Sequence, residues 1–525
     1  MRAADSGFFW GENMKGFRLA AAAALMSAAA AASMPAAAAE LTVAIAAAFT
    51  TMDPWDCTDT YSQAVSKSFY EGLYGFDKDM KRIPVLAESA DVSADGLVYT
   101  IHLRRGVMFH DGTEFKADAV KANFDRVLDP KNQLKRYTLY SNIAKVEPVD
   151  DYTVKFTLKK PFSAFLNQLA HPSGGMICPS ALAKYPGRQM GFHACGTGAF
   201  IMDKYNPADV LRVVKNPHYW QKGLPKLDAI TWKPVVEDST RIAMLKTGEA
   251  QFANPIPPEQ AKLLEASDGI QVLNTPSIIN RYLSMNVMKK PFDNPKVRQA
   301  VNYAINKKAL AKVAFNGYAD ESTGPAPMGV QYAEKLGPWP YDPQKARELL
   351  KEAGYPNGFE ATLWSAYNHS TAMKAAQFLQ QQLRQVGIKV KVQGLEAGQR
   401  NALVEGVRDP KDAKVQMYYI GWSSSTGEID WAIRPLLATE AFPPNASNTA
   451  YYSNPTVDQG LAEALATTDE AKKQEIYSRV QKQIWADAPW AFLVTERNVS
   501  GAAKNLSGFY VMPDGNYDFY SAELK

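Results

Sequence analysis

The sequence predicts an α/β fold with mixed sheets. Strand-like and helix-like runs alternate from one end to the other, the pattern of layered helices and sheets. Two runs, VYTIHL (98–103) and YTVKFTL (152–158), alternate apolar and polar residues strictly, as half-buried antiparallel strands do. No repeat of 20–50 residues is present, which sets solenoids aside. At roughly 150 residues per domain, 525 residues make two to four domains.

Taken in order, LTVAIA (41–46) reads as a first strand. TYSQAVSKSFYEGLYGF (60–76) has apolar residues at helical spacing and Gly75 near its end. KADAVKANFDRVLD (116–129) is an amphipathic helix with Asp118 in its first turn. NPKVRQAVNYAINKKALAKVAF (294–315) reads as one long helix, with Pro295 suited to a first helical position. DPQKARELLKEAG (342–354) ends on Gly354, a C-terminal cap, with Pro356 beyond. MKAAQFLQQQLRQVG (373–387) leads into the strand IKVKVQGL (388–395), and VQMYYIGW (415–422) is a further strand. A late helix opens near Asp469 and stops before Pro489, where the strand WAFLVTE (490–496) begins.

Alanine piles up only in the first 50 residues. Lys15 and Arg18 form a positive region, Leu19–Ala32 an apolar one, and Ala37-Ala38-Ala39 a small-residue cleavage site before Glu40. The run is shorter than a membrane span of about 20 residues. Residues 1–39 are therefore expected to be a cleaved signal peptide, with Met14 as the true start and the periplasm as destination. In an oxidising compartment Cys178 and Cys195, which flank a loop-like stretch, are expected to bridge, leaving Cys57 over. The net charge of +4 is small for this length and argues against a nucleic-acid partner.

Signatures of chemistry are missing. There is no Walker A loop, no G-x-S-x-G elbow, no H-E-x-x-H and no C-x-x-C. None of the six histidines is paired at i, i+4. No enzyme, cofactor or metal is expected; a secreted peptide hydrolase is the alternative from another class of function.

The segment DGLVYTIHLRRGVMFHDGTEFKADAVKANFDRVLDP (95–130) resembles the signature of the extracellular solute-binding proteins of ABC importers, of the peptide- and nickel-binding type. GTGAF (196–200), NPHYW (216–220), FDNPKVRQAVNYAIN (292–306), YDPQKARELLKEAGYPNG (341–358) and VGIKVKV (386–392) follow in the family's order. FTTMDPWD (49–56), PSIINRYLSMN (276–286), NHSTA (368–372), EAGQR (396–400) and GWSSSTGEIDWA (421–432) are similar to its glutathione-binding branch. The resemblance implies a two-lobed periplasmic binding protein fold with a two-strand hinge. Lobe one would span 40–281 and 494–525, with an extra subdomain at about 72–190, and lobe two 282–493. It further implies a monomer that captures glutathione or another short peptide between closing lobes and hands it to an inner-membrane ABC permease. Dipeptides or oligopeptides are the alternative ligands; opine-like compounds, metal chelates and haem occur to relatives of this fold.

Glutathione has two carboxylates, one ammonium, two amides and a thiol, and its buried charges need partners. Arg281, near the expected lobe crossing, and Arg400 are the candidate cations. The loop from Trp422 to Trp431 is the main candidate, with Trp422 packing on the ligand and Ser423 and Ser425 as hydroxyl donors. The resemblance places Ser425 where dipeptide-binding relatives hold the α-ammonium with an aspartate. That moves the anionic partner to Glu428 or Asp430. Thr50 and Thr51 end the first strand, at the edge that lines α/β clefts. Asn368, His369 and Ser370 precede a helix whose amino end suits an anion, with Ser370 or Asn368 as its alternative role of cap.

Overall fold

Two long strands, Ile270–Met285 and Trp490–Ala503, run antiparallel through the middle of an eleven-stranded sheet. This is a computed structural model; it describes residues 39–525, so the expected leader and the Met14 start fall outside the described residues. On one side of the long pair lie Met417–Ser423, Phe359–Ser365 and Ile388–Gly394. On the other lie Phe252–Asn254, Glu40–Ile45, Ala229–Pro234, Val210–Lys215 and Phe200–Asn206, and the eleventh strand, Ala319–Glu321, pairs with Trp490–Ala503 off this order. Parallel and antiparallel pairs are mixed: Glu40–Ile45 runs parallel to both neighbours, and Met417–Ser423 antiparallel to Ile270–Met285.

The long strands stay paired with each other but shift register along their length. Ile270–Pro276 pairs with Arg497–Ala503, and Asn280–Ser284 with Trp490–Thr495, with register shifts between Pro276 and Asn280 and between Arg281 and Tyr282. Irregularities of this kind bend a strand and raise its twist. The sheet is thereby divided into two halves joined through two strands, the two-lobed arrangement with its hinge.

Each half has its own core. In the later half the helices Pro295–Ala304, Lys307–Ala314, Pro343–Glu352 and Ser370–Arg384 pack on one sheet face through Leu283, Leu363, Met417, Tyr419 and Leu493. Alternation sends Tyr418 and Ile420 to the opposite face, against Val404, Val415 and Tyr451. In the earlier half Ala44, Leu245, Ala253, Ile256 and Leu264 form a separate cluster. An extra subdomain carries a four-stranded antiparallel sheet, ordered Ala87–Val92, Val98–Leu103, Thr153–Leu158, Ile143–Asp150. Its two central strands bury every second residue, and the helix Ala117–Leu128 buries Val120, Phe124 and Val127. Among the described residues no helix is long and apolar enough to cross a membrane.

Three expected elements come out differently. The helix over 60–76 stops at Ser66, because the next residues give their backbone to the GTGAF motif. Gly198 N–H bonds Phe69 O at 3.1 Å and Phe200 N–H bonds Ser68 O at 2.9 Å. Gly75 then lies in the short strand Tyr74–Phe76. The helix over 294–315 breaks at Ile305, which is extended, and restarts because the Asn306 side chain accepts the Ala309 N–H at 2.9 Å. The helix Ser370–Arg384 is capped by neither Asn368 nor Ser370: His369 is its N-cap, and its Nδ1 accepts the Ala372 N–H at 3.4 Å.

Candidate functional site

Arg281 and Glu496 stand on the two hinge strands. Arg281 pairs in register with Val494, so Glu496 is its diagonal neighbour, two residues along. The guanidinium forks onto the carboxylate, Nε to Oε1 at 2.6 Å and Nη2 to Oε2 at 3.1 Å. Both side chains are mostly buried, and the other face of the guanidinium lies 4.8 Å from the Tyr367 ring centroid. Arg281 can lie there because residue 421 on the adjacent strand is glycine, where a Cβ would come within 2.2 Å of Nη1. Glu496 holds Arg281 firmly in its charged form against the cost of burial.

A cavity of about 560 Å³ opens beside this pair. Arg281, Glu496, His369, Ser370 and Thr371 line one part of it, and Tyr61, Asp238 and Asn254 another. It therefore draws on both halves of the sheet. Its size is in the range of small-ligand sites. Burial and the neighbouring Arg281 push the His369 imidazole below its usual range, so it is neutral at pH 7. Its Nδ1 is occupied as the helix cap, which leaves the proton on Nε2.

Arg400 is the second cation of the region. It pairs with Glu405 at 2.9 Å, and both lie close enough to Tyr418 to act on its hydroxyl, as does Tyr367. Arg281, Tyr367, Arg400, Glu405 and Tyr418 are thus neighbours. The Tyr418 hydroxyl is buried without a hydrogen-bond partner, as is Ser423 Oγ at the end of the same strand.

The loop after this strand meets the subdomain. His171 Nε2 lies 3.1 Å from Ser425 Oγ, and the Asn167 amide donates to Thr426 O at 3.0 Å. Ser163 N–H donates to Leu465 O at 2.9 Å. The Trp422 indole N–H donates to Trp431 O at 2.8 Å and its ring packs on Trp431. The two carboxylates of the loop each face a cation of their own. Glu428 pairs with Lys473 at 2.7 Å, both almost fully buried, and Asp430 with Arg434 at 2.7 Å. Burial and charge balance leave neither as a free anion for an ammonium. Arginine and lysine supplied in the same half are the physical reason.

The remaining candidates lie apart from the cavity at the hinge. Thr50 and Thr51 do not end the first strand, which stops at Ile45; Thr50 is exposed, its hydroxyl donates to Asp59 and its N–H to Ser62 Oγ at 2.9 Å. Thr51 Oγ1 accepts the Asp53 N–H at 3.1 Å and packs against Gly191. The Asn368 amide donates to Glu396 at 2.6 Å. Cys178 and Cys195 are joined by a disulfide, and Cys57 is a buried free thiol. Asp111 lies near the two bridged sulfurs, but these are bonded to each other and offer no thiolate to a metal.

Sequence reasoning does not reach Glu496, Tyr418 and His171. Glu496 had a signal: a lone acid ending the apolar run WAFLVTE, as Arg281 is a lone base inside IINRYLSM. Opposite charges set singly in two apolar strands are candidates for one cross-strand pair. Nothing local distinguishes His171, which becomes a site residue only by packing.

A split sheet, a two-strand hinge and a polar cavity drawing on both halves define a protein built to enclose a small solute. The family model for bacterial extracellular solute-binding proteins, family 5 (middle), matches residues 81–444, and the chain belongs to that family. It is a binding protein and not an enzyme. It is 59% identical over 485 residues to the glutathione-binding protein GsiB of Pectobacterium atrosepticum, covering 92% of this chain and 94% of that one. To the glutathione-binding protein GsiB of Escherichia coli K12 it is 58% identical over 486 residues, 93% and 94% of the two chains. Among solved structures it is similar to the periplasmic binding protein DppA of Helicobacter pylori in complex with the peptide STSA, with a TM-score of 0.79 and 30% identity over 92% of this chain and 98% of that one.

Proposed function

We propose that this chain captures glutathione in the periplasm and delivers it to the membrane permease of an ABC importer. The observation that carries the reading is the 58–59% identity to two glutathione-binding proteins along nearly their whole length. In this reading residues 1–39 export the chain and are removed, and the mature protein acts as a monomer. Lobe one is 40–281 with 494–525, lobe two is 282–493, and the ligand lies between them.

The chemistry of the region agrees with such a ligand. Arg281 and Arg400 supply one cation for each glutathione carboxylate, and both can fork onto a carboxylate. The neutral donors are Ser423, Ser425, Tyr418 and His369, with Trp422 packing on the peptide backbone. Ser370 lines the cavity beside Arg281, and Thr50, Thr51 and Asn368 belong to the rim that closure brings toward the ligand.

Calorimetry with reduced glutathione, oxidised glutathione, γ-Glu-Cys and Ala-Ala tests the reading. Binding of a glutathione form, with no heat from Ala-Ala, is expected. Binding of Ala-Ala and of neither glutathione form overturns it, in favour of the second reading, a dipeptide or oligopeptide carrier. That second reading draws on the likeness to the H. pylori protein with its bound peptide.

A further inference from the structure

Phe162, Ser163 and Asn167 reach from the extra subdomain to the later half of the fold, in and just before the short helix Phe165–Leu169. Ser163 N–H donates to Leu465 O at 2.9 Å, and its hydroxyl to Ala464 O at 3.1 Å. Those carbonyls belong to the last turn of the helix Pro455–Ala466, which the chain leaves in extended conformation at Thr467. Carbonyls of a last turn have no partner within their own helix, so Ser163 caps this one from outside. Asn167, four residues on, donates from Nδ2 to Thr426 O at 3.0 Å. The orientation of its amide is fixed, because Arg82, which can only donate, holds Asn167 Oδ1. The Phe162 ring adds a contact with the Arg434 guanidinium, 5.4 Å from its centroid.

The segment is anchored on its own side. The Tyr99 hydroxyl donates to Phe162 O at 3.0 Å, the Gln168 amide to Leu139 O at 2.9 Å, and the Phe165 ring packs on Tyr99. Toward the later half it stands as a ridge between two cavities. One, of about 660 Å³, is lined by Ser163 and Asn167 with Glu428 and Lys473; the other, of about 940 Å³, by Phe162 with Arg434 and Leu465. The two sides meet here through directed bonds flanked by open space, and an interface of that kind lets its halves move apart. None of the three residues lines the cavity beside Arg281.

We propose that Ser163 and Asn167 form a closure latch: donors on the subdomain that engage main-chain carbonyls of lobe two when the lobes close, and that set how long a ligand is held without touching it. All three hydrogen bonds run the same way, to the carbonyls of residues 464, 465 and 426. When the lobes part, water satisfies both sides, so each bond adds only its modest net worth to closure. A latch acts on the closing equilibrium, so its loss weakens every ligand by one factor and leaves their relative affinities unchanged. The inference rests on the reading that the lobes close around a solute, and not on which solute it is. Ser163 and Asn167 are positioning residues in that sense.

The test is calorimetry of the full-length mature protein with reduced glutathione, γ-Glu-Cys and Ala-Ala, with stopped-flow dissociation rates and thermal melts of the ligand-free variants. Ser163→Ala is expected to weaken reduced glutathione and γ-Glu-Cys alike by about fivefold, the loss of one hydrogen bond. Asn167→Asp keeps the acceptor for Arg82 but turns an oxygen onto Thr426 O, and is expected to weaken both by about tenfold. The losses should appear as faster dissociation, with the melts unchanged. Ser163→Thr, which keeps the hydroxyl, should bind as the wild type does. Folded Ser163→Ala and Asn167→Asp proteins with wild-type affinity and dissociation overturn the latch and leave the glutathione reading standing. A loss confined to one ligand also overturns it, because that marks a direct contact with the ligand. Wild-type protein that binds Ala-Ala and neither of the γ-linked peptides overturns the glutathione reading, and the same variants then decide on the latch by their affinity for Ala-Ala. Wild-type protein that binds none of the three overturns both.

Discussion

Arg281 lies across Gly421, with Nη1 where a Cβ at that position would come within 2.2 Å, and its fork is closed by Glu496. The glycine, the arginine and the glutamate belong to three adjacent strands, so the pair locks the hinge region of the sheet together.

Removing one partner of a mostly buried pair leaves the other charge unpaired, which costs about 3 kcal/mol. Arg281→Met is therefore expected to lower unfolding stability by about that amount in urea, and Arg281→Met with Glu496→Met to recover part of it. The single variant is also expected to weaken glutathione binding at least thirtyfold, about 2 kcal/mol. An unchanged affinity in a folded Arg281→Met protein would remove this residue from the site. Gly421→Ala, which displaces the guanidinium without deleting it, should lower affinity in the same direction.

A second close approach holds the earlier half together. A Cβ on Gly196 would lie 2.1 Å from Phe69 O, and one on Gly198 2.6 Å from Phe69 Cα. The obstacles are backbone atoms, which a side-chain rotation does not move. Gly196→Ala and Gly198→Ala are each expected to cost more than about 3 kcal/mol, in the range of severe overpacking. Gly106→Ala serves as the control: nothing lies within 4 Å of its Cβ position, although its φ of +72° still carries a modest penalty. Equal destabilisation at 196 and 106, by urea denaturation, would contradict this account.

These two contacts also show what can be read from a sequence and what cannot. Val98–Leu103 and Thr153–Leu158 were legible because the alternation along each strand is itself the cause of its burial pattern. The helices around Ala117, Pro343 and Glu470 were legible for the same reason, with caps at Asp342 and Asp469. The break at Asn306 was missed because one capping side chain outweighed an unbroken helical periodicity. The stop at Ser66 is caused by Gly198 and Phe200, far along the chain. The same distance in sequence hides the site: Arg281 and Glu496 are 215 residues apart, and His171 and Ser425 are 254 apart. Residue types pointed to Arg281 and to the loop at 425, while the partners that decide their charge and polarity came only with packing. Glu428 and Asp430 illustrate the converse, since each had the right chemistry and a cation already beside it.

The cysteines allow a direct count. With the bridge between Cys178 and Cys195 intact, denatured but unreduced protein is expected to show one free thiol, that of Cys57. In the folded protein that thiol should react slowly, because burial pushes its pKa up to about 12 and leaves almost no thiolate at neutral pH. The bridge closes a loop with a sequence separation of 17, worth roughly 3 kcal/mol in the chain-entropy description. Reduction should accordingly lower the urea midpoint. Three thiols in the unreduced, denatured protein would exclude the bridge.

Glu71 gives the clearest dependence on pH. Its carboxyl is buried at the meeting point of two motifs, accepting from Thr197 Oγ1 at 2.8 Å, Tyr219 OH at 2.7 Å and Trp220 Nε1 at 2.9 Å. Burial raises its pKa from 4.5 to about 7, and the three donors oppose that rise without cancelling it. Between these two values the folded protein keeps a proton that the unfolded chain has released. Stability contributed by this group is therefore fully present below about 4.5 and is lost as pH rises through 7. The loss is on the order of 3 kcal/mol across the window. Glu71→Gln removes the ionisation while its amide oxygen still accepts from Trp220 and Thr197, and its amide N–H can turn to the Tyr219 oxygen. Relative to the wild type, the variant is expected to gain stability from pH 5 to pH 8, by most of that amount, in paired urea titrations. A difference between the two proteins that stays flat with pH would mean that Glu71 is ionised in the fold across the whole range, and that the three donors outweigh its burial.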